Sequence, residues 1–99
     1  MKSVTPTEFV ALGDGAVLVD VREPNEVAEV SVPGALLIPM SELTEHLEEL
    51  PEGTFYVMCH SGGRSARVVT ALEQRGYDAV NVVGGITQWQ EEGLPVTKG

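Results

Sequence analysis

VMCHSGGRSA, residues 57–66, contains the only cysteine of the chain. A β-branched and apolar run, Thr54 to Cys59, ends at that cysteine, and the pair Gly62-Gly63 follows. A helix is expected next, from about Arg64 to Arg75, with Ala66, Val69 and Leu72 as its buried stripe and Gly76 as its stop. A buried-strand run, a glycine turn and a helix, joined by so short a connection, are the signature of an α/β fold.

The flanking sequence repeats the same grammar. Towards the N-terminus, Thr5, Pro6 and Glu8 in TPTEF form a helix start with a capping box, and Phe9, Val10 and Leu12 supply an apolar face. Gly13 to Gly15 turn the chain into AVLVDV (Ala16 to Val21), a second buried strand. Pro24 opens a short helix, Val32 to Ala35 reads as a turn, and LLIP is a short strand stopped by Pro39. Ser41 can cap ELTEHLEEL, where Leu43, Leu47 and Leu50 recur at helical spacing. Beyond the central helix, DAVNVV (Asp78 to Val83) is a third strand, and Gly84-Gly85 lead into a last short helix ended by Gly93. Strands alternating with helices predict a largely parallel sheet, in which ligands bind beyond the carboxyl ends of the strands. Cys59 lies at such an end.

Totals bound the rest. A chain of 99 residues is expected to be one domain, spanning 1–99, and 42% apolar residues suit a globular core. The net charge of −9 argues against nucleic acid and anionic membranes, which require clustered Lys and Arg. No apolar run has the length of a membrane span, and MKSVTPTEFVAL lacks the apolar core of a signal peptide, so a cytoplasmic protein is expected. No heptad seam marks an oligomer, and a monomer is expected. One cysteine excludes an internal disulfide and an internal resolving thiol. The scarce positive charge is concentrated near this thiol: of four arginines, Arg64 and Arg67 lie just after it.

The loop points to thiolate chemistry. If a helix begins near Arg64, the N–H groups from Ser61 to Ser65 have no helical partners, and two glycines allow them to converge on one point. A helix terminus stabilises a nearby negative charge by roughly 0.3–1 kcal/mol, or ~2 where partly buried. At about 1.4 kcal/mol per pH unit, that alone leaves a thiol only partly ionised at neutral pH. Direct N–H bonds to sulfur, with help from Arg64 or Arg67, would carry it further. The alternative is that Cys59 is a small core residue ending a strand.

CHSGGRSA resembles the active-site loop of the rhodanese family of sulfurtransferases. DVREPNE (Asp20 to Glu26), VPGA, and GGITQW followed by GLPV resemble further segments of that family, in collinear order from about residue 4 to residue 96. The resemblance implies a rhodanese-like fold, a five-stranded mostly parallel sheet with helices on both faces. It implies that the Cys59 thiolate takes a sulfane sulfur from thiosulfate or a persulfide donor and passes it to a thiol or cyanide acceptor. The loop His60, Ser61, Gly62, Gly63, Arg64 and Ser65 would bind the small anionic donor. Asp20, Arg22 and Arg67 would support it, with Asp20 and Arg22 ordering nearby loops. Arg64 would either hold the donor or pair with a local carboxylate. No metal and no organic cofactor is implied, and a protein thiol is a further possible acceptor. Two departures stand out. His60 occupies a position where the family often has a basic residue, which puts dianionic thiosulfate in doubt. Val30 and Ser31 replace the usual Gly-His before the turn.

Three other readings compete. The chain could be a persulfide carrier, or a partner-binding module without catalysis, although the retained Cys59 argues against the latter. A cysteine phosphatase or arsenate reductase of related fold fits less well. Such phosphatases place five residues between cysteine and arginine, and here there are four.

Overall fold

The computed structural model describes residues 1–99. Its elements run in chain order as β1 (Lys2–Val4), α1 (Pro6–Ala11), β2 (Leu18–Asp20), α2 (Pro24–Glu29), β3 (Val30–Ser31), β4 (Leu36–Leu37), β5 (Thr54–Met58), α3 (Gly63–Gln74), β6 (Asp78–Val82), α4 (Gly85–Glu91) and β7 (Thr97–Lys98). Five strands pair in the order β1-β6-β5-β2-β4, every pair parallel. The fold is α/β, with helices on both faces of this sheet, the architecture that the resemblance implies.

Alternation along each strand divides the core. Val19, Phe55, Val57 and Ala79 point to one face, where they pack with Val68, Val69 and Leu72 of α3. Leu18, Met58 and Val82 point to the other, against Ile86 and Trp89 of α4 and Phe9 of α1. The Trp89 indole N–H donates to the Pro95 carbonyl at 2.9 Å, so its burial leaves no donor unpaired. Val68, not Ala66, carries the α3 stripe. Ala66 is half-buried because it shares the outer face of α3 with Arg67 and Thr70, while Ser65, Val68, Val69 and Leu72 face inward.

The helix starts follow their signals. Thr5 and Glu8 form the reciprocal capping box of α1. A second box, with Glu23 and Glu26, opens α2 behind Pro24. Between Val32 and Ala35 the chain makes a turn closed by an N–H···O bond of 3.2 Å, with Gly34 at φ +83°.

Residues 40–49 depart from the expected α-helix and form two 3₁₀ segments, Met40–Glu45 and Leu47–Glu49, broken at His46. A 3₁₀ turn places residues three apart on one face. Met40 and Leu43 therefore meet the core together, as do Leu47 and Leu50, and the break at His46 absorbs the four-residue step between the pairs. Clustered Glu42, Glu45, Glu48 and Glu49 also repel one another on a continuous α-helix.

Two pairings were not foreseen. β1 adds an edge strand beside β6, and Lys2 pairs with Asp78 across that edge. β3 and β7 form a separate antiparallel pair.

Candidate active site

β5 is the middle strand of the five, and Cys59 is the first residue past its carboxyl end. The chain then turns through His60, Ser61 and Gly62 into α3. Gly62 is the helix N-cap at φ +108°, a conformation that strongly favours glycine. This turn brings its N–H to 3.0 Å from Cys59 Sγ. Cys59 itself is 1% exposed, so a reacting atom must reach the sulfur through the mouth of the loop.

Burial is the largest single influence on the thiol and pushes its pKa up. It is outweighed by polar groups of the loop: the Ser65 hydroxyl and the N–H groups of Ser65, Gly62 and Ser61 favour the thiolate, and of these the Gly62 N–H bonds the sulfur directly. The net shift is downward, towards the thiolate. Of the N–H groups expected to converge on the sulfur, that of Gly62 makes the contact, and the largest favourable contribution to the lowered pKa comes from the Ser65 side chain. Ser65 is fully buried, and its hydroxyl donates to Asn81 Oδ1 at 2.6 Å, with the Gly62 carbonyl 3.1 Å away.

A second glycine pair holds the loop from beneath. The N–H groups of Ile86 and Thr87, in the first turn of α4, donate to the carbonyls of Cys59 and His60 at 2.9 and 3.1 Å. Gly85, at φ +55°, packs so closely that a Cβ there would lie 2.2 Å from the Cys59 carbonyl oxygen. Gly84-Gly85 thus form a turn demanded by close packing.

The charged residues divide into two pairs. Asp20 and Arg22 form a buried ion pair, Nη2 to Oδ2 at 2.8 Å, with Nε also donating to the same carboxylate. Arg22 also donates to the Glu26 and Val30 carbonyls at 3.4 and 2.7 Å, which ties α2 and its exit to the end of β2. Arg64 is committed to a carboxylate. Its two terminal nitrogens donate to both oxygens of Glu26, at 2.7 and 2.8 Å. Arg64 holds the Glu26 carboxyl at about 2, against burial and with help from the Glu23 N–H. Arg67 is exposed on α3 and forms no ion pair, and His60 and Ser61 are exposed at the rim of the loop.

The loop residues Cys59 to Ser65 are thus brought together, while Asp20 and Arg22 form a neighbouring brace and Arg67 stands apart. Sequence reasoning missed Glu26 as the partner of Arg64 and Asn81 as the partner of Ser65. Asn81 had a signal, because it is a polar residue inside an otherwise apolar strand run.

The model of the rhodanese-like domain matches residues 5–92. This chain belongs to the rhodanese-like family. Among other members, YtwF of Bacillus subtilis is 43% identical over 79 residues, covering 79% of this chain and 77% of that protein. A protein of Allochromatium vinosum named sulfurtransferase is 39% identical over 85 residues, covering 84% and 79%. A rhodanese-related protein from Thermoplasma volcanium has a crystal structure that superposes with a TM-score of 0.92 at 37% identity, covering 98% of both chains.

Proposed function

We propose that this rhodanese-like protein is a sulfurtransferase with Cys59 as its nucleophile. The observation that carries the reading is a buried cysteine at the carboxyl end of the middle strand whose sulfur accepts the Gly62 N–H at 3.0 Å at the start of α3, with the loop holding its pKa down. The name of the Allochromatium relative supports it.

The Cys59 thiolate attacks the outer sulfur of the donor. With thiosulfate, the S–S bond breaks, sulfite leaves with the electron pair, and Cys59 becomes a persulfide anion. With an alkyl persulfide, the thiolate of the parent thiol leaves instead. An acceptor thiolate or cyanide then attacks the outer sulfur of the Cys59 persulfide, takes it as a persulfide or thiocyanate, and restores the Cys59 thiolate. Charge balances in each step, and no external oxidant or reductant is needed. The N–H groups of Ser61, Gly62 and Ser65 act as the anion cradle for the thiolate and then the persulfide. Ser65 supports the cradle from the first turn of α3, its hydroxyl anchored on Asn81. His60 and Gly63 shape the rim, and Arg64, Arg22 and Asp20 hold the elements around it in place.

Two half-reactions through one covalent intermediate predict ping-pong kinetics. Thiocyanate formation should give parallel lines in double-reciprocal plots when donor and cyanide are varied, and Cys59→Ser should abolish it. A sequential pattern, or activity retained in Cys59→Ser, would refute the assignment. A carrier role, in which a protein thiol is the acceptor, shares the same first half-reaction. It predicts slow turnover with cyanide and fast transfer to a protein thiol.

A further inference from the structure

The pairing of Arg64 bears on which donor the site accepts. A rhodanese loop with a free guanidinium at its rim would attract dianions, but here that charge is already met. Arg64 is held by both oxygens of Glu26, and each side chain is about one quarter exposed. Glu26 is itself fixed, because it accepts the Glu23 N–H at 3.0 Å in the capping box of α2. Glu23 adds another carboxylate that acts on Arg64, and it accepts a hydrogen bond from Ser41 at 2.9 Å. Arg22 is committed to Asp20, Arg67 stands away on α3, and His60 is the residue at the rim. At the start of α3 there is one partly accessible cation, Arg64, acted on by the carboxylates of Glu26 and Glu23 and by the thiolate.

We propose that Glu26 is a specificity-determining residue: by neutralising Arg64 it makes the site favour sulfane-sulfur donors of single negative charge, such as persulfides of small uncharged thiols, over dianionic thiosulfate. The inference rests on the sulfurtransferase reading and narrows its donor class. A monoanionic persulfide meets half the repulsion that thiosulfate meets from the same carboxylates and thiolate. Its uncharged carbon end also needs no cationic partner. The chemistry at sulfur is identical for both donors, so the difference arises in binding and approach.

The test compares thiosulfate with the persulfide of 2-mercaptoethanol as donors to the wild-type protein, Glu26→Gln and Glu23→Gln. Glutamine at 26 keeps an acceptor for the Glu23 N–H and removes the charge. The wild type should use the persulfide at least about tenfold better in kcat/KM. Glu26→Gln should raise kcat/KM for thiosulfate about fivefold or more, mainly through KM, and so narrow the preference. Glu23→Gln, which leaves the Arg64 pair intact, should act in the same direction but less. Added salt should improve thiosulfate use by the wild type, because it screens repulsion, and should weaken it in Glu26→Gln. A wild-type preference for thiosulfate, or a donor ratio and salt response unchanged in both variants, would overturn the inference alone. Failure of either donor to place sulfur on Cys59 would overturn the sulfurtransferase reading and this inference with it.

Discussion

Gly85→Ala should damage the cysteine loop without altering any residue in it. Gly85 has φ +55°, where an L side chain costs roughly 1–2 kcal/mol. Its added Cβ would lie 2.2 Å from the Cys59 carbonyl oxygen and 2.6 Å from that of His60. These are backbone atoms and cannot rotate aside, so the loop must retreat from α4 by about 1 Å to restore van der Waals contact. That retreat strains or breaks the bonds from the Ile86 and Thr87 N–H groups to the same two carbonyls. At roughly 1 kcal/mol for each bond, and more for a group left unpaired, the total reaches about 3–5 kcal/mol. A domain with roughly 5–15 kcal/mol of stability would remain folded but become marginal. The same movement draws the Gly62 N–H from its 3.0 Å contact with sulfur, so the thiol pKa should rise. Urea denaturation reads the first effect, and the pH dependence of iodoacetamide alkylation reads the second. Gly15→Ala is the control, because it has an ordinary φ and nothing within 4 Å of its added Cβ. A Gly85→Ala protein with the wild-type urea midpoint and alkylation profile would refute the claim that α4 sets the loop.

Three further outcomes are expected. Ser65→Ala removes the side chain that contributes most to the lowered thiol pKa. Alkylation at neutral pH should slow severalfold; an unchanged rate would show that the Gly62 N–H suffices. Arg22→Met leaves the Asp20 carboxylate buried without its partner, which should cost about 3–5 kcal/mol in urea denaturation, whereas Asp20→Asn with Arg22→Met should recover part of that loss. Glu26 is held at about 2, below its ordinary 4.5, so the folded state binds fewer protons than the unfolded state. Its contribution is complete above about pH 5 and is lost as pH falls through about 2; Glu26→Gln should flatten that part of the acid unfolding curve, and an unaltered curve would contradict the assignment.

Much of this fold can be read from local rules, because each central strand is a short apolar run bounded by glycine or proline. The capping box at Thr5 and Glu8 and the stop at Gly76 depend on neighbours in sequence, so they too were legible. What escaped depends on distant partners. Lys2–Val4 becomes a strand only because β6 offers it an edge, and three mostly polar residues carry no strand pattern of their own. Leu43, Leu47 and Leu50 suit an α-helix by spacing, but the core contacts of Met40 and Leu43 and of Leu47 and Leu50 select 3₁₀ turns. At the site, glycine turn, cysteine and helix start are contiguous, so the cradle could be inferred. The Arg64–Glu26 pair spans 38 residues, and its exact partner was invisible until α2 was placed beside the loop. Gly84-Gly85 marks a turn before α4, but which carbonyls Gly85 packs against depends on the distant cysteine loop.

The most direct test of the central claim is intact mass spectrometry after brief exposure to the persulfide of 2-mercaptoethanol or to thiosulfate, using wild type and Cys59→Ser. A gain of the mass of one sulfur atom is predicted in the wild type alone, removed by cyanide or a reducing thiol. No gain from either donor, or an equal gain in Cys59→Ser, would contradict the claim that the loop is a persulfide cradle and Cys59 its nucleophile.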